Sequence, residues 1–69
     1  MRTVFTERQA HFANIHDVMC NVGVECRYIT NIEGFSIWVV WEWETGTVRY
    51  FDKWENFLRH VNRLARKYC

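Results

Sequence analysis

Large apolar residues occupy every second position of the segment "FSIWVVWEWE", residues 35–44, and this alternation limits the possible folds more than any other feature of the sequence. A period of two is typical of a β-strand with one buried face. One side of this strand carries five large apolar residues: Phe35, Ile37, Val39, Trp41 and Trp43. The other side carries Ser36, Trp38, Val40, Glu42 and Glu44. We therefore expect the first set to form the core and Trp38 to lie outside it.

Two further segments, one before and one after this strand in the sequence, also have side chains that alternate with a period of two. "VECRYITN" precedes it and "TVRYF" follows it, with turn signals at Glu33-Gly34 and Thr45-Gly46. We predict strands at about 24–32, 35–44 and 47–51. Two-residue turns would pair Tyr28 with Val39 and Trp41 with Tyr50, and a one-residue error would exchange the faces.

Helical patterns flank the three strands. Thr6 and Gln9 have capping-box spacing, and a periodic apolar stripe follows to Val22, with Gly23 as a C-terminal cap. Asp52 begins a second amphipathic segment. The predicted helices are at about 7–22 and 53–68. We expect a single small α+β domain over residues 1–69, of order α-β-β-β-α, with a three-stranded antiparallel meander and both helices packed on one face.

Composition limits the compartment and the class of protein. The 69 residues include no proline and only three cysteines, an odd number that argues against a disulfide scaffold. No apolar run approaches the ~20 residues of a membrane span, and no signal peptide is apparent. We expect a cytoplasmic protein that has no membrane partner.

An exposed sheet face is the first candidate functional surface. In the expected register, the face away from the helices carries an apolar patch with charged neighbours: Trp38, Ile29, Val40, Phe51, Arg27 and Arg49. Such patches mark interaction surfaces, and Trp with Arg is typical of binding hot spots. We expect a protein partner or self-association here. The alternative is that these side chains only stiffen the sheet through cross-strand pairs.

The second candidate surface is a basic face of the C-terminal helix. Residues 52–69 carry five basic and two acidic side chains, although the whole chain has a net charge of only +1. Helical spacing places the basic and amide residues on one ridge: Arg59, Arg63, Arg66, Lys67 and Asn56. A ridge of this kind suits nucleic-acid phosphates or an acidic partner. The alternative is a solvated face, since the helix dipole also favours basic residues near a C-terminus.

Catalytic and metal chemistry has little support in the sequence. His16 and Cys20 share a helix face and Cys26 follows, but a zinc site needs a fourth ligand, and no Cys-x-x-Cys pair occurs. We predict no cofactor, no metal, no catalytic residue and no small-molecule substrate.

These observations together predict a small non-catalytic binding protein that acts through a protein–protein interface and that could form a homodimer. Small domains of this kind include the inhibitors and accessory regulators of phages and mobile elements. The alternative is a nucleic-acid-binding module that uses the basic face of the C-terminal helix.

Overall fold

The computed structural model describes residues 5–6 and 11–68. It contains two helices and three strands: α1 (Phe12–Asn21), β1 (Val24–Thr30), β2 (Ser36–Glu42), β3 (Thr47–Phe51) and α2 (Trp54–Tyr68). The strands form one antiparallel sheet in the order β1-β2-β3. The predicted α-β-β-β-α order is therefore confirmed, and the helices pack against the sheet.

The first helix begins later than predicted. His11, the residue before it, has an extended backbone (φ −114°, ψ 142°), so the helix does not run continuously from residue 7. Gln9 of the expected capping box lies outside the described residues. At the other end, Gly23 has a φ of +83° and its N–H donates to the carbonyl oxygen of Cys20 (3.2 Å). This confirms the predicted glycine cap, which turns the chain directly into β1.

The β1–β2 register differs from the predicted one by one residue. Tyr28 pairs with Trp38, where the two-residue turn would have paired it with Val39. The connection is longer because the Asn31 side chain organises it: Asn31 Oδ1 accepts from the N–H groups of Glu33 and Phe35, both at 3.0 Å. A side chain of this type stabilises a turn by replacing backbone bonds.

The β2–β3 register is shifted by two residues. Trp41 pairs with Val48, not with Tyr50. The turn closes through the N–H of Gly46, which donates to the carbonyl oxygen of Glu42 (2.9 Å). Because side chains alternate with a period of two, this shift leaves the relative faces of β2 and β3 unchanged.

The core lies on the face of β2 opposite to the one predicted. Val24, Cys26 and Val40 are almost completely buried beneath the helices. Trp38 packs on the same side, stacked on Tyr28 with ring centroids 5.2 Å apart and in contact with Trp54 of α2 at 5.7 Å. The expectation that Trp38 and Val40 lie outside the core is therefore wrong. Both faces of β2 are apolar, so the alternation alone could not choose between them.

An asparagine joins the N-terminal segment to α2. Asn62 Oδ1 accepts from the N–H of Phe5 (2.7 Å), and Asn62 Nδ2 donates to the Phe5 carbonyl oxygen (2.9 Å). Both residues are buried, and the Phe5 ring belongs to the core. This pairing fixes a contact between residues 57 positions apart. None of the helices described between residues 11 and 68 is long and apolar enough to cross a membrane.

Candidate functional site

The sheet surface that faces away from the helices is apolar and open. We call it the outer sheet face and define it by the side chains that alternate away from the core: Glu25, Arg27, Ile29, Ile37, Val39, Trp41, Trp43, Val48 and Tyr50. Tyr50 is 71% exposed and Trp43 57%. Val39 is half-buried at the centre of the sheet. A contiguous apolar surface of this kind is unusual for a small soluble monomer.

Cross-strand neighbours order the outer sheet face into rows. Ile29 lies opposite Ile37. Val39 lies between Arg27 and Tyr50, and the next row is Glu25, Trp41 and Val48.

Two tryptophans extend this surface beyond the end of β2. The rings of Trp41 and Trp43 are stacked, with centroids 4.4 Å apart and planes inclined by 14°. Trp43 is held in place through its backbone, because its N–H donates to the carbonyl oxygen of Gly23 (3.0 Å). The pair therefore presents two fixed aromatic side chains to the outside, at a low cost in side-chain entropy on binding.

The charges on the outer sheet face are few and balanced. Arg27 Nη2 lies 3.3 Å from Glu25 Oε1, so the cation and the anion pair with each other. The middle of the face carries no other charged side chain among the residues described for the three strands. Electrostatics therefore gives this surface no preference for a charged partner.

Four of the six residues predicted for the exposed sheet face lie elsewhere. Arg27 and Ile29 are on the outer sheet face as expected. Trp38, Val40 and Phe51 pack on the core side, and Arg49 points to the same side, towards α2. The sequence pattern did not predict the exposed side chains that it placed in the core, such as Trp41 and Trp43. Asn31 in "TNIEGF" was the available signal, since an asparagine-organised turn lengthens the loop and shifts the register.

A concave pocket lies between α2 and β3. We call it the arginine pocket; it has a volume of about 310 Å³ and is lined by Arg49, Phe51, Asn56, Arg59, His60, Arg63 and Arg66. Three of the arginines come from α2, at spacings of four and three residues. The fourth, Arg49, comes from the sheet. None of the described lining residues is acidic.

A buried histidine orients one of these arginines. His60 is 8% exposed, and Arg63 Nη2 lies 2.8 Å from its Nδ1. A guanidinium can only donate, so Nδ1 is the acceptor and the imidazole is neutral in this bond. Burial, together with the positive charges of Arg63 and Arg49, holds the pKa of His60 below its ordinary value of 6.5. His60 therefore adds no charge to the pocket at neutral pH and holds Arg63 in place.

The predicted basic ridge is divided by the structure. Arg59, Arg63, Arg66 and Asn56 converge on the arginine pocket, but Lys67 does not line it. Instead Lys67 Nζ lies 2.8 Å from Glu42 Oε2 at the end of β2.

The same oxygen of Glu42 also accepts from the Tyr68 hydroxyl. Hydrogen bonds from Lys67 and Tyr68 hold the pKa of Glu42 below its ordinary value. This network closes the C-terminal end of α2 onto the sheet.

The histidine and cysteines considered for a metal site are not brought together as ligands. His16 Nδ1 lies 3.5 Å from Asp17 Oδ1, and Cys20 is exposed. Burial, with a smaller contribution from Glu25, raises the pKa of the Cys26 thiol to about 12. Within the described part of the chain, no three His, Cys, Asp or Glu side chains are grouped so that they could hold a metal ion.

Comparison with known proteins adds no further information about function. No protein-family model, curated protein or solved structure matches this chain. The candidate functions therefore depend on the outer sheet face and the arginine pocket.

Proposed function

We propose that this chain is a non-catalytic binding protein that acts through a protein–protein interface on the outer sheet face, and that the occupant of this face is a second copy of the chain. The observation that carries the proposal is the row of exposed large apolar side chains on one side of the sheet, including Ile37, Trp41 and Tyr50. Covering them removes apolar surface from water, which is the main driving force for association.

The size of a standard interface sets how much of the outer sheet face a stable dimer has to cover. A standard protein–protein interface buries ~800 Å² on each partner. The accessible surface of this molecule is 5117 Å² and its dimensions are 36 × 29 × 17 Å. A seven-residue strand such as β2 is about 23 Å long at ~3.3 Å per residue. The sheet is only three strands wide, with ~4.8 Å between strands, so an interface of standard size has to extend over the whole outer sheet face, including Trp43 and Tyr50.

The charge pattern also fits a second copy. A two-fold interface places the same surface on both partners, so it must be complementary to itself. The outer sheet face is apolar at its centre, and its Arg27–Glu25 pair is already neutralised within one chain. Two such faces therefore bring no net charge into the contact. Two sheets can pack face to face about 10 Å apart, as in β-sandwiches.

Sedimentation equilibrium at low and high salt tests this proposal. The test variant is Tyr50→Glu, which places a charge on the outer sheet face. The matched control is Val18→Glu, at an exposed apolar position of α1 in the helical layer. We expect a wild-type dimer that is little affected by salt. Tyr50→Glu should weaken the association at least roughly tenfold, and Val18→Glu should have no effect.

Two outcomes would contradict the proposal. One is a wild-type protein that remains monomeric over the accessible concentration range, which would assign the outer sheet face to a different protein. The other is equal loss of dimer in Tyr50→Glu and Val18→Glu, which would place the contact elsewhere. A role as an inhibitor or accessory regulator and a cytoplasmic location remain predictions from the sequence.

A further inference from the structure

We infer that the arginine pocket is a second binding site, and that its ligand is a nucleotide phosphate, either in a free nucleotide or in a nucleic-acid strand. The pocket lies on the helical side of the sheet, whereas the proposed dimer uses the outer sheet face. The two proposals are therefore independent.

The charge of the arginine pocket is the first observation. Guanidinium groups remain protonated at all physiological pH values. Arg49, Arg59, Arg63 and Arg66 line one concavity, and no described lining residue carries a compensating carboxylate. The acidic Glu42 is bound to Lys67 and Tyr68 and does not line the pocket. Like charges so arranged repel each other, and a bound anion relieves that repulsion.

The position of Arg49 argues against a merely solvated helix face. The helix dipole explains a preference for basic residues in the last turn of α2, such as Arg66. It does not explain an arginine in the middle of β3 that faces the same pocket. Arginines from a strand and from a helix can contact a ligand from two sides, whereas a basic ridge on one helix contacts it from one side only.

The chemistry of the remaining lining residues fits a phosphate attached to an organic group. Guanidinium groups bind phosphate oxygens through two parallel hydrogen bonds, and the His60 contact holds Arg63 in one orientation. Asn56 adds an amide donor and acceptor, and Phe51 adds an aromatic wall. The volume of about 310 Å³ is at the lower end of the ~300–1,000 Å³ of small-molecule pockets.

Isothermal titration calorimetry with adenosine 5′-monophosphate tests the site, and adenosine is the matched ligand without the phosphate. The test variants are Arg59→Gln and Arg49→Gln. The control variant is Lys53→Gln, which removes one positive charge from an exposed position outside the pocket. We expect binding of the monophosphate but not of adenosine. Each arginine variant should weaken binding roughly tenfold, and Lys53→Gln should have little effect.

Two further probes distinguish the sources of the phosphate. A single-stranded oligo-dT and a DNA duplex are titrated under the same conditions at several salt concentrations. Tighter binding of oligo-dT than of the monophosphate would assign the site to a nucleic-acid strand. In that case the logarithm of the binding constant should fall with the logarithm of the salt concentration with a slope of about 0.7 per phosphate contacted. Equal or weaker binding would assign it to free nucleotides.

The inference fails if neither the monophosphate nor the oligonucleotides bind. It also fails if Lys53→Gln reduces binding as much as Arg59→Gln, because the attraction would then be non-specific. Titration of the Tyr50→Glu variant separates the two proposals. That variant should bind the monophosphate as the wild type does, whether or not the wild type is a dimer.

Discussion

The contact between Asn62 and Phe5 allows one prediction to be worked out in detail. Asn62 is 6% exposed and Phe5 8%, and the two hydrogen bonds between them satisfy both backbone groups of Phe5. Asn62→Ala removes both bonds and leaves a backbone donor and acceptor without partners in a buried position. It also weakens the attachment of the Phe5 ring, which is part of the core.

The expected loss is large for a chain of this size. Each hydrogen bond contributes about 1 kcal/mol net, and a buried polar group left without a partner costs roughly 1–3 kcal/mol. Entry of water into the vacated space would recover part of this cost. We expect Asn62→Ala to lower the free energy of unfolding by ~2–4 kcal/mol. A 69-residue domain typically has only about 3–10 kcal/mol in total.

Urea unfolding followed by tryptophan fluorescence measures this loss. The matched control is Asn56→Ala, an exposed asparagine on the same helix, for which a change within about 0.5 kcal/mol is expected. Asn62→Asp keeps the acceptor oxygen but loses the donor and places a carboxylate in a buried position beside the Phe5 carbonyl oxygen, so at neutral pH it should lower the free energy of unfolding at least as much as Asn62→Ala. Hydrogen exchange at the Phe5 amide should be faster in Asn62→Ala. Equal unfolding free energies for Asn62→Ala and Asn56→Ala, with unchanged Phe5 exchange, would refute the reasoning.

Three other predictions concern side chains of the sheet and of the helices that pack against it. Trp38→Ala should lower the free energy of unfolding by about 3 kcal/mol, because the Trp38 ring packs on the core, and Trp41→Ala should lower it less when measured on the monomer. A larger loss for Trp41→Ala than for Trp38→Ala in urea unfolding would support the register expected from the sequence. Iodoacetamide should alkylate Cys20 in the native protein but Cys26 only after unfolding, because Cys26 is buried and its burial raises the pKa of the thiol to about 12. Equal alkylation rates of the two cysteines in the native protein, measured by peptide mapping, would contradict this. Two donors from α2 lower the pKa of Glu42, so the contribution of Glu42 to stability should be present above the pKa of the carboxyl in the unfolded chain and be lost as the pH falls through its folded pKa. Glu42→Gln should make the free energy of unfolding less dependent on pH in this acidic range, and an unchanged pH dependence would count against the network.

The order of the elements was predictable because it depends on local periodicity. The change from a helical period to alternation near Val24, and back again near Trp54, marks the ends of the sheet within a few residues. These patterns do not depend on which elements later pack together. The helical arginines Arg59, Arg63 and Arg66 were placed correctly on one face for the same reason.

The choice of the buried sheet face was not predictable from the same patterns. Residues 37–41 are apolar on both sides of β2, so either face could have formed the core. The choice depends on which residues fit beneath two helices, and Val24, Cys26 and Val40 are the sheet side chains that are almost completely buried there. The prediction of a two-residue turn at Gly34 then fixed the wrong register. Only the α2 part of the arginine pocket was predicted, because Arg49 shares the sheet face of Val40, which was expected to be exposed and instead lies beneath the helices.

The shortest strand, β3, contributes to both candidate surfaces. Val48 and Tyr50 face outwards, whereas Arg49 and Phe51 line the arginine pocket. A single residue added to or removed from the preceding turn would exchange these pairs, placing a cation on the apolar face and a tyrosine in the pocket. Substitutions can therefore change either surface separately during evolution, but a change in the length of this turn alters both at once.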